Sequence, residues 1–310
     1  MDYSFQHYLL SKQTVDDRAL NKDVVQALRV HLPPGPVSVI EVGAGIGTML
    51  KRLIEWDILC AGEYVLVDEQ EENINYAREW IPQWATEAGL SVERTGWNLL
   101  HLCDQTRDIW VRLECRDVFD FVQKNQTPAD VLIAHAFLDL LPLPQSLEKL
   151  FSLTNGLAWL TINFDGRSTL QPVAVSRLDE QIERLYHATM DSRTTGGDSR
   201  TGGKLFQHLQ AVKADILSAG ASDWVVYANE GKYLADEKYF LQFILHFFES
   251  SLKGCEELDV NVFEQWLAKR HEQIESGELV YIAHQLDFLV QASPSLRATR
   301  LAGSEAISSP

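Results

Sequence analysis

One ten-residue stretch restricts this chain more than any other: Val39-Ile40-Glu41-Val42-Gly43-Ala44-Gly45-Ile46-Gly47-Thr48. Branched apolar residues run into three alternate glycines and then into an amphipathic segment. That is the pattern of a buried strand, a tight turn and a helix start. Gly43 and Gly45 free the backbone for conformations that a side chain would block, and they let a ligand lie against the main chain. Gly47 lets the following helix pack closely on the sheet. The helix start then offers free amides and a positive dipole end to a polar ligand.

The spacing narrows the ligand. A dinucleotide fingerprint needs G-x-G-x-x-G, and counting from Gly43 puts Thr48 where the third glycine belongs. The pattern here is Glu-x-Gly-x-Gly-x-Gly. A carboxylate at Glu41 would repel a pyrophosphate and attract an ammonium. One helix later, the apolar run Glu63-Tyr64-Val65-Leu66-Val67 ends in Asp68, with Glu69 beside it. A carboxylate at the end of a second strand can accept from two vicinal ribose hydroxyls. A third apolar run, Val111 to Arg116, leads into Asp117-Val118.

Together these motifs resemble those of class I S-adenosylmethionine-dependent methyltransferases, over roughly residues 37–165, 204–230 and 278–290. The resemblance implies that Glu41 holds the methionine amino group and that Gly43, Ala44, Gly45 and Gly47 pass beneath the cofactor. It places Asp68 on the ribose, counts Glu69 among the cofactor-binding residues, and places Asp117 on the adenine amino group, with Val118 against the ring. The implied fold is α/β, a doubly wound, mostly parallel seven-stranded sheet with helical cap insertions and an antiparallel last strand. S-adenosylmethionine is the implied cofactor and S-adenosylhomocysteine the product.

Composition bounds the partners. Lys plus Arg is 27 against 44 for Asp plus Glu, a formal charge of −17. Nucleic-acid binding needs a basic face that displaces counterions from phosphates, and an anionic membrane asks for the same. Neither is expected. Four widely spaced cysteines without a C-x-x-C form neither a zinc pattern nor a disulfide framework, so no metal site is expected. The opening Met-Asp-Tyr-Ser-Phe carries no basic stretch followed by an apolar one, and the most apolar run, Tyr239 to Phe248, is too short to span a bilayer. The expectation is a soluble cytoplasmic enzyme acting on a small molecule.

Periodicity divides the chain into an N-terminal helical lid (1–36), a cofactor-binding α/β core (37–165) and a cap insertion (166–203). A core continuation (204–230), a helical insertion (231–277), a last core strand (278–292) and a solvated tail (293–310) follow. Strands are expected at 38–42, 63–68, 109–115, 130–135 and 157–164, with helices between them. The extra residues 91–108 hint at a hairpin. A helix near 204–218 and a strand from Trp224 to Tyr227 resume the core.

Ligands of open α/β sheets bind outside the carboxyl ends of the strands. That places the chemistry near Ala134-His135-Ala136-Phe137-Leu138-Asp139. His135 is a candidate general base, since imidazole titrates near working pH; the plainer reading has it line the cofactor pocket. Asp139 is a candidate to orient His135 or to face the acceptor, or it is a helix-start acid. A local duplication, Asp191-Ser192-Arg193-Thr194 and Asp198-Ser199-Arg200-Thr201, offers Arg193 and Arg200 as a fork for an anionic acceptor. Tyr8 and Lys12 on the N-terminal helix are further substrate-binding candidates. The aromatic run from Tyr239 is apolar almost all round and reads as core or as a homodimer contact. Two other functions stay open: an aminopropyltransferase using decarboxylated S-adenosylmethionine, and a non-catalytic partner subunit that keeps the fold.

Overall fold

In the computed structural model, which describes residues 3–193 and 196–292, alternating apolar strands and helices between Val37 and Gln171 build the centre of one sheet. Its parallel strands are β1 (Val37–Val42), β2 (Ala61–Asp68), β5 (Asp108–Cys115), β6 (Ala129–His135) and β7 (Thr154–Gln171), in the order β5-β2-β1-β6-β7. The crossovers α4 (Thr48–Glu55), α5 (Glu71–Glu87), α6 (Val118–Lys124) and α7 (Gln145–Phe151) cover both faces. Each face buries its own apolar cluster, one around Leu66 and Trp159 and the other around Val67 and Leu160. A sheet buried on both sides reads as continuous apolar runs, which is why these strands are visible in the sequence. The chain order reverses between β1 and β6, so their carboxyl ends open the crevice where ligands of such sheets bind.

The hairpin expected in 91–108 is present. β3 (Ser91–Arg94) and β4 (Leu99–Cys103) run antiparallel, and β4 pairs β5 with His101 opposite Trp110. On the other side β10 (Val280–Gln291) runs antiparallel between β7 and β8 (Asp215–Ala221). The sheet therefore has ten strands rather than seven.

Three expectations are corrected. Residues 166–171, assigned to the cap, continue β7, with Leu170 opposite Tyr281; Asp165-Gly166 is an irregularity within the strand rather than its end. The helix expected to reach residue 218 is α9 (Thr201–Ala211), and the sixth core strand is β8, which lacks a branched apolar run and is held by pairing to β10. Trp224–Val226 forms β9 on the opposite end of β10, off the main strand path.

Around this sheet lie α1 (Phe5–Ser11), α2 (Gln13–Ala19), α3 (Lys22–His31), α8 (Ser176–Asp191), α10 (Glu237–Leu252) and α11 (Val260–Glu275). The aromatic run of α10 is buried within the chain. Tyr8 stacks on Phe243 at 4.6 Å, and Tyr186 of α8 stacks on Phe248 at 4.2 Å. The aromatic rows thus tie α1, α8 and α10 into one cap. Asp287 of β10 accepts from the backbone amides of Asn21 (2.8 Å) and Ile162 (2.7 Å) and pins the N-terminal segment to the sheet. No described helix is long and apolar enough to cross a membrane, and no group of three His, Cys, Asp or Glu side chains among the described residues could hold a metal ion. The 293–310 tail, Thr194 and Thr195 lie outside the described residues.

Candidate functional site

The site starts at the end of β1. Gly43 and Gly45 take φ of +62° and +56°, the left-handed region that favours glycine. In this conformation the Gly45 amide donates to Asp68 Oδ2 at 2.8 Å, and Ala44 N donates to the Val67 carbonyl at 3.0 Å. The turn is thereby stitched to the end of β2. Asp68 Oδ1 accepts from Gln70 N (2.9 Å) and Asn73 Nδ2 (3.1 Å). Three donors thus orient one carboxylate toward the crevice. Burial raises its pKa, and those hydrogen bonds only partly offset the rise.

Gly47 has the other role expected of it. It begins α4, and a Cβ there would meet Leu66 Cδ1 at 2.5 Å, so it serves helix-to-sheet packing and does not border the ligand space. Glu41 is 1% exposed, and its Oε2 accepts from Tyr64 Oη at 2.5 Å. Burial pushes its carboxyl up to about 8, against the Tyr64 hydrogen bond and the Arg52 charge. An ammonium in front of it would restore the ionised form. Asp117 caps α6 with Oδ1, accepting from Phe119 N (2.8 Å) and Asp120 N (3.0 Å), and borders the crevice.

These groups border one cavity of about 790 Å³, within the usual span of ligand pockets, roughly 300–1,000 Å³. Glu41, Gly43, Ala44, Gly45, Asp68, Glu69, Asp117, Val118 and His135 all line it. Of the substrate-binding candidates, Lys12 and Arg193 line it too. Tyr8 does not; its ring is packed into the α10 aromatic stack. Nor does Arg200, which lies exposed with its stem against Gly166 of β7. The two copies of the duplicated loop are therefore not equivalent.

His135 lines the cavity but cannot act as the expected base in this arrangement. Its Nε2 meets Asp16 Oδ2 at 3.0 Å and its Nδ1 meets Thr161 Oγ1 at 2.8 Å. A carboxylate only accepts, so Nε2 carries the proton and Nδ1 takes the threonine hydroxyl. No lone pair is left for an acceptor. Burial drives the ring pKa down to about 4 despite Asp16, with Lys12 and Arg52 adding to the fall, so the ring is neutral. Asp139 fails for a different reason. Its side chain does not border the cavity, its Oδ1 is buried without a hydrogen-bond partner, and burial raises its pKa. It neither orients His135 nor reaches an acceptor. Asp16 does the orienting instead.

Sequence reasoning missed the apolar wall. Phe5 and Leu9 come from α1, and Phe137, Leu140 and Leu141 follow β6. A Cβ on Gly43 would meet the Phe137 ring at 2.2 Å, and one on Gly45 would meet Leu9 Cδ1 at 3.0 Å. The residue Asn73 was missed as well; its one signal is its place a turn and a half after Asp68.

The parallel order with its reversal at β1 and β6, closed by the antiparallel β10, is that of the class I methyltransferase fold. No protein-family model and no curated protein matches the chain. Solved structures similar to it include the mycolic acid cyclopropane synthase CmaA1 complexed with SAH and CTAB. That structure is 11% identical, covers 94% of this chain and 86% of its own, and gives a TM-score of 0.42. YjhP from E. coli is 13% identical over 92% and 99%, with a TM-score of 0.49. The plantazolicin methyltransferase BpumL in complex with SAH is 13% identical over 93% and 85%, with a TM-score of 0.37.

Proposed function

We propose that the chain transfers the methyl group of S-adenosylmethionine to an oxygen or nitrogen of a small-molecule acceptor. One observation carries this reading. A single cavity at the reversal point gathers a buried acid (Glu41), a turn with two glycines (Gly43 and Gly45), an oriented ribose-type acceptor (Asp68) and a further acid beside an apolar side chain (Asp117, Val118). The residues fit the cofactor by the chemistry of the donor set, because two buried strand-end acids, Glu41 and Asp68, border the same cavity as the glycine turn.

When bound, the cofactor supplies an electrophilic sulfonium methyl. The protein's part is to hold, orient and exclude water. Glu41 would hold the ammonium, Asp68 would hold the ribose with Glu69 beside it, and Asp117 would hold the adenine amino group. Phe5, Leu9 and Phe137 keep the reacting end dry. Tied to Asp16 and Thr161, His135 has no lone pair to offer as a general base. This favours an acceptor that needs positioning more than deprotonation. Replacing Asp68 by Ala is expected to weaken binding by about 1.5–3 kcal/mol, the range for hydrogen bonds to charged groups. Calorimetry with S-adenosylhomocysteine measures this, and unchanged affinity would remove the central support.

Arg193 borders the same cavity as the apolar side chains Phe5, Leu9, Phe137, Leu140 and Leu141. An exposed arginine at the rim of an apolar cavity in so acidic a protein suits an anionic acceptor, whose carboxylate or phosphate it can grip in a fork. Arg193→Ala should raise the KM for such an acceptor about tenfold or more while leaving cofactor affinity unchanged. An equal loss of cofactor affinity would instead place Arg193 on the cofactor.

A further inference from the structure

Lys12 is a buried cation whose charge meets only the face of the Trp224 ring, 5.7 Å from its Nζ, and one distant carboxylate among the described residues. It sits at the elbow between α1 and α2, it is 5% exposed, and it borders the cavity. An ammonium brings three donors, and burying one is costly unless it is paired and hydrogen-bonded. Its sole ion pair among the described residues is a long one, 3.5 Å to Asp16 Oδ2. Asp16 is already satisfied. Its Oδ1 accepts from Trp224 Nε1 at 2.9 Å, and its Oδ2 accepts from Arg52 Nη2 at 3.2 Å and from His135 Nε2 at 3.0 Å. The neighbouring buried cation, Arg52, is by contrast fully engaged, donating to Asp16, Asp17, Thr48 and the Gln13 carbonyl. Lys12 is the surplus charge of this cluster.

What lies in front of it is informative. Glu41 borders the same cavity beside the glycine turn, and only its Oε2 is taken, by Tyr64. No ion pair joins Glu41 to Lys12. A carboxylate and an ammonium that face one space without meeting each other are the complement of an α-amino acid group. Building on the cofactor reading above, we propose that Lys12 receives the methionine carboxylate of S-adenosylmethionine while Glu41 receives its ammonium. The cofactor site then includes the first helix, so the α1–α2 elbow is held in place partly by the ligand it covers. The same contact selects the intact cofactor over the decarboxylated one.

The test is direct binding. S-adenosylmethionine and its decarboxylated form differ only in the carboxylate, so the wild-type protein should bind the former about tenfold or more tightly, as a charged hydrogen bond implies. Lys12→Met should erase that preference, while binding of 5′-methylthioadenosine, which lacks the amino-acid end, stays within about twofold. Lys12→Arg should retain part of the preference. Wild-type protein that binds both forms equally overturns the assignment, and this measurement needs no variant. A Lys12→Met protein that loses all three ligands to the same extent also overturns it, because that marks a packing role. Failure of the wild-type to bind any of the three would instead overturn the cofactor reading itself.

Discussion

Valine at position 45 is expected to abolish binding of S-adenosylmethionine. Gly45 has a φ of +56°, a region that a β-branched residue adopts only under strain of about 1–3 kcal/mol. Its Cβ would point at Leu9 of the cover helix, 3.0 Å away, and the two further methyl groups would enter the channel between turn and cover. The amide that orients Asp68 would shift with the backbone. Steric exclusion and a displaced ribose acceptor act together, so a loss of at least about a hundredfold, roughly 3 kcal/mol, is expected. Gly89 supplies the control. It also has a positive φ, +86°, but a Cβ there meets nothing within 4 Å. Gly89→Val should therefore carry similar backbone strain and leave binding intact. Calorimetry on both variants, with circular dichroism to confirm folding, decides the matter; wild-type affinity in Gly45→Val would place the ligand elsewhere.

The largest effect on stability is expected from Asp16→Ala. Asp16 is fully buried and accepts from Trp224, Arg52 and His135, with Lys12 nearby. Removing it strands Lys12 and two ring donors and takes one of two carboxylates from Arg52, which keeps Asp17. Breaking a buried ion cluster by deleting one member costs about 3–5 kcal/mol, which lowers the melting temperature by on the order of 10 °C in a chain of this size. The acid side of the stability profile should change as well. Burial pushes the Asp16 pKa up, but Lys12, His135 and Arg52 outweigh it and hold the carboxyl well below its ordinary 3.8. A depressed acid stabilises above its unfolded pKa, and that contribution is lost as pH falls through the folded value. The neutral His135 adds a loss of the same sign between its ordinary 6.5 and about 4. Burial raises the Glu41 carboxyl to about 8 and that of Asp287 to about 6, which acts with the opposite sign over that window, so the Asp16 contribution shows in the difference between the two proteins: the stability gap between wild type and Asp16→Ala should narrow as pH falls below about 4. A variant as stable as wild type would mean that water or a shifted Lys12 replaces the carboxylate.

Residues 39–48 and 63–68 were legible because their chemistry is local. Glycines at every second position, an acid two residues before them, and an acid at a strand end mean the same thing wherever such a unit occurs. Glu41, Asp68 and Asp117 all reach the cavity by standing at the carboxyl ends of parallel strands, whose positions follow from apolar runs. β8 was not legible. Asp-Ile-Leu-Ser-Ala-Gly-Ala has little intrinsic preference for a strand, and it becomes one because β10 presents unpaired backbone groups beside it.

The duplicated loop shows the limit most plainly. Arg193 and Arg200 stand in identical tetrapeptides, yet one borders the cavity and the other lies against Gly166. His135 and Lys12 differ in the same way. A histidine at the end of β6 looks available, and a lysine four residues before an aspartate looks like a solvated i,i+4 pair. In the folded chain the histidine is tied to Asp16, 119 positions away, and to Thr161. The lysine is left over because Arg52 and His135 already share the Asp16 Oδ2 that it faces, while Trp224, 208 positions from Asp16, takes Oδ1. The sequence alone determines which ligand chemistry the strand ends can offer, since that rests on spacing and backbone freedom. Only the tertiary structure decides which polar groups remain free to use it, because burial and the assignment of each donor to an acceptor depend on contacts that no local pattern contains.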